Sequence, residues 1–130
     1  MVPERIMIVD DNKVLLKELQ ETLDLCGYDT KTVSESSNVF RLARLTKPDA
    51  ILLDLNMPGE SGFEVADRLK QNKETSRIPI IAISGYFPID KRGILLEKRS
   101  MDRVIKKPFE IAELIMEIET VLNKASAVAS

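Results

Sequence analysis

The sequence contains no histidine and one cysteine, Cys26, among its 130 residues. Without an imidazole, Ser-His-Asp and Cys-His catalytic constellations are excluded, and so is the commonest transition-metal ligand. Any metal held here is expected to be a hard ion bound through oxygens. A single thiol forbids an internal disulfide. Closing the apolar pattern of the first expected helix, Cys26 reads as a small core residue. No apolar run approaches the ~18 residues needed to span a bilayer, and Met1-Val2-Pro3-Glu4-Arg5 lacks the charged-then-apolar layout of a signal peptide. Nor does one sign of charge dominate. The 19 basic and 21 acidic residues leave a net charge of -2 with no single-sign block, which points away from nucleic acid and from a membrane surface as partners. A soluble cytoplasmic protein is expected.

What is present fits one globular domain, since 44% of the residues are hydrophobic and 31% charged. Its centre is the run Ala50-Ile51-Leu52-Leu53, which drives straight into Asp54 and is bounded by Pro48-Asp49 and Pro58-Gly59. A short continuous apolar run between turn signals reads as a strand buried on both faces. Burying a carboxylate without partners is costly, so Asp54 is expected at the strand's mouth, facing solvent, a cation or hydrogen-bond donors. In open parallel sheets that edge is where ligands bind.

Four further strands and five helices flank this run. Arg5 to Val9 ends on Asp10-Asp11, after which Asn12 caps a helix carrying Val14, Leu15, Leu19, Leu23 and Cys26 until Gly27. Tyr28 to Val33 reads as an edge strand. Ser36, Ser37 and Asn38 offer caps for a helix through Leu45 that Lys47-Pro48 ends. A third helix starts near Phe63, and Ile78 to Ile83 forms a buried strand ending on Ser84-Gly85. A helix over Asp90–Ser100 is weakened by Gly93. Arg103 to Lys106 is a short strand ending on Lys107-Pro108-Phe109, and a last helix runs from Glu110 to about Lys124. The domain is expected over 1–124, with 125–130 a small-residue tail that frays. Strict alternation implies an α/β three-layer sandwich, a parallel sheet covered on both faces by right-handed crossovers.

The strands end on complementary chemistry: Asp10 and Asp11, Asp54, Ser84, and Lys107. Three carboxylates in one crevice repel, and a cation relieves the repulsion. With oxygen ligands alone, Mg²⁺ or Mn²⁺ is the natural occupant. Lys107 suits a phosphoryl oxygen, and the Ser84 hydroxyl can donate to another. The chemistry this supports is attack of the Asp54 carboxylate on phosphorus to give an aspartyl-phosphate. No base stands ready to activate Ser84, which is therefore a hydrogen-bonding residue. Taken singly, Asp10-Asp11 fits a helix cap, Ser84-Gly85 a turn and Lys107-Pro108 a loop start. Their joint arrival at one edge favours the functional reading.

Asp10-Asp11, the string Asp54-x-x-Met57-Pro58-x-x-x-Gly62, Ser84-Gly85 and Lys107-Pro108-Phe109, in this order and spacing, resemble the CheY-like receiver domain of two-component response regulators. The resemblance covers about Arg5 to Lys124. It implies a flavodoxin-like (βα)5 fold with strand order 2-1-3-4-5. It also implies that Asp54 accepts a phosphoryl group from a sensor histidine kinase or a phosphotransfer protein, which agrees with the absence of histidine here. Asp10, Asp11, Asp54 and the main-chain carbonyl of Asn56 would hold Mg²⁺. Lys107 would pair with the phosphoryl group, and Ser84 would move to hydrogen-bond it, biasing the following loop, the helix over Asp90–Ser100 and the fifth strand between two arrangements. A cis peptide at Lys107-Pro108 is implied as well. Such a protein is no enzyme beyond its own phosphorylation and dephosphorylation, and it signals by contact with a downstream target protein, as a monomer or weak homodimer.

Two positions depart from the family's pattern. Val104 stands three residues before Lys107, where the family commonly has Tyr or Phe; valine has a single χ1 angle and little reach, so it offers no rotating ring. Ser100-Met101 replaces a frequent Gly-Ala. Tyr86, two residues past Ser84, falls where the family tunes access of water to the phosphoryl group, and the resemblance implies that its ring shields an acyl phosphate. Rival readings are a phosphohydrolase, disfavoured because Asn56 stands where such enzymes carry Asp, and a degenerate receiver serving as a phosphorylation-independent scaffold. A dinucleotide or flavin domain lacks the Gly-rich loop after the first strand.

Overall fold

The computed structural model, which describes residues 2–85 and 101–129, with 124–129 by backbone alone, contains five parallel strands. These are β1 (Arg5–Val9), β2 (Asp29–Val33), β3 (Ala50–Asp54), β4 (Ile80–Ser84) and β5 (Arg103–Lys106). They form one sheet of order β2-β1-β3-β4-β5, the flavodoxin-like arrangement that the resemblance implied. The central strands are buried along their whole length, and β2, at the edge, is half exposed. The helices are α1 (Lys13–Leu25), α2 (Val39–Thr46), α3 (Gly62–Gln71) and α4 (Ile111–Ala129). The expected helix over Asp90–Ser100, with Tyr86 and Ser100, lies outside the described residues.

Successive strand residues face opposite sides, so the sheet feeds two cores. Met7, Val9, Ile51, Leu53 and Ala82 pack with Val39 and Ala43 of α2 and Val65, Ala66 and Leu69 of α3. Ile6, Ile8, Leu52, Ile81 and Ile83 pack with Leu16, Leu19 and Leu23 of α1 and Leu114, Ile118, Val121 and Leu122 of α4. This is the expected three-layer sandwich.

Three local expectations need correction. Cys26 is exposed, not a core residue, and Val14 is exposed too. Leu16, Leu19 and Leu23 form the inner stripe, which turns Val14 outward, while Cys26 falls on the cap where the helix has already ended. The tail expected to fray continues α4 to Ala129. Ala125, Ala127 and Ala129 carry the best helix propensity, and no glycine or proline interrupts them. Finally, Asn38 makes no side-chain capping bond to α2; Ser36–Asn38 instead form a 3-10 turn leading into it.

Candidate functional site

Parallel register delivers all five carboxyl ends to one edge. Val9 pairs with Leu53, so Asp10 emerges beside Asp54. Asp54 pairs with Ile83 and Ser84 with Lys106, which brings Ser84 and Lys107 to the same rim. The Lys107 N–H donates to the Ser84 carbonyl at 2.8 Å, closing β5 onto β4. The peptide bond between Lys107 and Pro108 is cis.

Asp10 and Asp54 are 2% and 3% exposed, whereas Asp11 lies open to solvent. Each contributes a carboxylate oxygen, and these oxygens lie within 4.8 Å of one another. Lys107 Nζ stands 3.2 Å from Asp10 Oδ2 and 3.8 Å from Asp54 Oδ2, so one ammonium faces both buried acids. Each buried carboxylate is also held by the backbone two residues on. Asn12 N–H donates to Asp10 Oδ1 at 2.9 Å and Asn56 N–H to Asp54 Oδ1 at 3.0 Å. Both are Asx turns in an Asp-x-Asn sequence. Asn12 then caps α1, its side chain accepting from Val14 N–H and Leu15 N–H at 3.1 Å. Sequence reasoning gave Asn12 only the capping role; the repeated Asp-x-Asn was the available signal for the other.

Burial pushes the Asp54 carboxyl above the usual range, against the pull of the Asn56 N–H. Asp10 pushes it further up, Lys107 draws it down, and Asp11 adds to the upward push. Net repulsion among three acids, all of them oxygen donors with one open to solvent, fits a hard divalent cation. Asp10, Asp11 and Asp54 are thus brought together as expected, with Lys107 against two of them. Ser84 is buried at 1% exposure on the neighbouring strand end.

The loop after β3 is shaped by two glycines. Gly59 has φ +87°, open to glycine at no steric cost. At Gly62 a Cβ would lie 2.7 Å from Leu55 Cα, so the first turn of α3 reaches the end of β3 only because no side chain intervenes. Ser61 caps α3 by accepting from Glu64 N–H at 3.2 Å. On β5, Val104 is half-buried opposite Ala82 and packs against the α2–α3 core.

Residues 6–119 match the family model described as the response regulator receiver domain. The chain belongs to this family. The receiver is 32% identical over 97% of its length to the transcriptional regulatory protein PrrA of Mycobacterium leprae (strain TN), of which it covers 53%. It is 31% identical over 95% of its length to the polar-differentiation response regulator DivK of Brucella anthropi, which it covers entirely. The chain thus spans about half the length of PrrA and the full length of DivK. Among solved structures, a response regulator from Desulfuromonas acetoxidans superposes with a TM-score of 0.81 at 31% identity, covering 92% of this chain and 97% of that one. The receiver domain of a LuxO repressor protein from Vibrio parahaemolyticus, at 23% identity, shares the fold with a TM-score of 0.88 over 98% of this chain and 96% of that one. Membership of this family supports a phosphorylation-activated switch, and the Asp cluster of the receiver fits it. Among the described residues, no helix is long and apolar enough to cross a membrane.

Proposed function

We propose that this receiver accepts a phosphoryl group on Asp54 in a Mg²⁺-dependent reaction and signals by protein contacts. The observation that carries the reading is the cluster of Asp10, Asp11 and Asp54 oxygens within 4.8 Å, with Lys107 Nζ against both buried acids. Asp10, Asp11, Asp54 and the Asn56 carbonyl are the groups that would hold Mg²⁺, which when bound neutralises charge on the transferring oxygens and on the acids themselves. The donor is a phosphohistidine on a sensor histidine kinase or a phosphotransfer protein. An Asp54 carboxylate oxygen attacks phosphorus; the O–P bond forms as the N–P bond breaks, and the electron pair returns to the imidazole, which is reprotonated. Lys107 exchanges its contact with Asp54 for one with the phosphoryl oxygens. The Ser84 hydroxyl donates a hydrogen bond to the phosphorylated form. Water later cleaves the acyl phosphate to inorganic phosphate and the free carboxylate, so the protein catalyses only its own modification and demodification.

The change is transmitted to a downstream target protein through β5, α4 and the helix expected over Asp90–Ser100, which lies outside the described residues. The setting we infer is the cytoplasm, with the receiver a monomer or weak homodimer. Intact mass after incubation with acetyl phosphate tests the reading. A gain of one phosphoryl group is expected with Mg²⁺, none with chelator and none in Asp54→Asn. Absence of the gain together with absence of Mg²⁺ binding overturns it in favour of a phosphorylation-independent scaffold.

A further inference from the structure

The loop that leaves Asp54 is gripped from inside and from outside. On the inner side Leu55 and Met57, 2% and 7% exposed, sit in the α2–α3 core. Asn56 lies between them, tied to Asp54 through its N–H. On the outer side one contact comes from the turn before α2, 22 residues back along the chain, and one from α3, the helix that follows the loop. Ser36, 6% exposed in the turn before α2, donates from Oγ to the Pro58 carbonyl at 3.5 Å. It also lies 3.4 Å from where a Cβ on Gly59 would stand. Glu60 pairs with Arg68 of α3, and the Arg68 guanidinium lies 5.9 Å from the centroid of the Phe40 ring on α2. Arg44 lies over the same ring at 5.7 Å and pairs with Glu74 at 3.2 Å. A relay of Glu74, Arg44, Phe40, Arg68 and Glu60 thus crosses the surface of α2 and α3 and ends on the loop.

We infer that Arg68 and Ser36 are positioning residues for the Asn56 carbonyl, holding the loop from Leu55 to Ser61 in the shape a Mg²⁺ ligand needs; this rests on the reading of the acid cluster proposed above. Half-exposed ion pairs and cation–π contacts add little to global stability. Their effect falls instead on a segment that the sheet holds at its first residue, where Leu55 N–H donates to the Ile83 carbonyl at 3.0 Å. A carbonyl ligand carries no net charge, so what it contributes to a cation depends on its aim, whereas a carboxylate attracts from a range of orientations. Loosening the outer grip therefore leaves the acids in place and degrades the one ligand that must be aimed.

The test is a Mg²⁺ titration followed by the backbone amide shifts of Asp11 and Asn12, on the wild type, Arg68→Ala, Ser36→Ala and Arg68→Lys. The dissociation constant is expected to rise about fivefold in Arg68→Ala, short of the 10- to 100-fold typical when a direct partner of a ligand is lost. Ser36→Ala should follow in the same direction, and Arg68→Lys, which can keep an ion pair to Glu60 but loses the guanidinium over Phe40, should recover part of the affinity. In chelator the variants should melt within about 2 °C of the wild type, while the amides of Met57, Gly59 and Glu60 exchange faster. Variant affinities within twofold of a wild type that binds Mg²⁺ overturn this inference alone. So does a loss of affinity that only tracks a fall in melting temperature, which marks a structural role. A wild type that binds no Mg²⁺ overturns the reading of the site and this inference with it.

Discussion

Asp54 is asked to be two things at once: a core residue at 3% exposure and an anion beside two other acids. Burial raises its carboxyl above the usual range, and Asp10 and Asp11 add to the shift. A carboxyl raised in the folded state stabilises the fold when protonated, below its unfolded value of about 3.9. That contribution is lost as pH rises through the raised folded value. At neutral pH Asp54 therefore weakens the metal-free fold. Asp54→Asn removes the charge and keeps an oxygen that can accept from the Asn56 N–H. In chelator at pH 7 this variant is expected to melt above the wild type, and the gap should shrink as pH falls and close near pH 4. Thermal unfolding across that range checks it; a variant that melts lower at pH 7 would show that Lys107 already neutralises the cluster.

At the scale of elements, the close approach of α3 to β3 is the contact least tolerant of change. A methyl at Gly62 would lie 2.7 Å from Leu55 Cα and 3.1 Å from the Asp54 carbonyl oxygen, both backbone atoms that cannot rotate away. Gly62→Ala is expected to destabilise by about 1–3 kcal/mol, the usual range for overpacking. Because the displaced atoms belong to Asp54 and its neighbour, Mg²⁺ affinity should fall as well. Ser61→Ala, one residue earlier, removes the α3 cap and should cost about 1 kcal/mol without moving β3. Urea unfolding with Mg²⁺ titration of both variants separates crowding from capping. The strands and the candidate site were legible in the sequence because each buried strand is a continuous apolar run and its candidate site residue is the next one along: Asp10 after Val9, Asp54 after Leu53, Ser84 after Ile83. Parallel pairing then collects what each strand end carries. The phase of α1 was not legible, because Val14, Leu15 and Leu16 are all apolar and only packing selects Leu16. Nor were the roles of Ser36 and Arg68, since their contacts to Pro58 and Phe40 span 22 and 28 residues of chain.

For the molecule as a whole, the proposed Mg²⁺ site would couple folding to the cation. An ion that binds the folded state alone stabilises it by RT ln(1 + [L]/Kd), about 1.4 kcal/mol at ten times the dissociation constant. For a domain of this size that corresponds to a rise in melting temperature of roughly 5 °C. The rise is expected with Mg²⁺ and should be reversed by chelator. Na⁺ at equal ionic strength should produce much less, since screening does not replace coordination. Asp54→Asn should start higher in chelator and gain less from Mg²⁺, because one of the three carboxylates has gone and the repulsion left to relieve is smaller. Wild type and variant should therefore converge, or cross, as Mg²⁺ is raised. Parallel curves would mean that Asp54 neither opposes folding nor takes part in holding the ion. Crossing curves would mean that the residue that weakens the empty fold is the same one that draws the cation in, so the strain on the resting domain and its readiness for phosphoryl transfer have a single source.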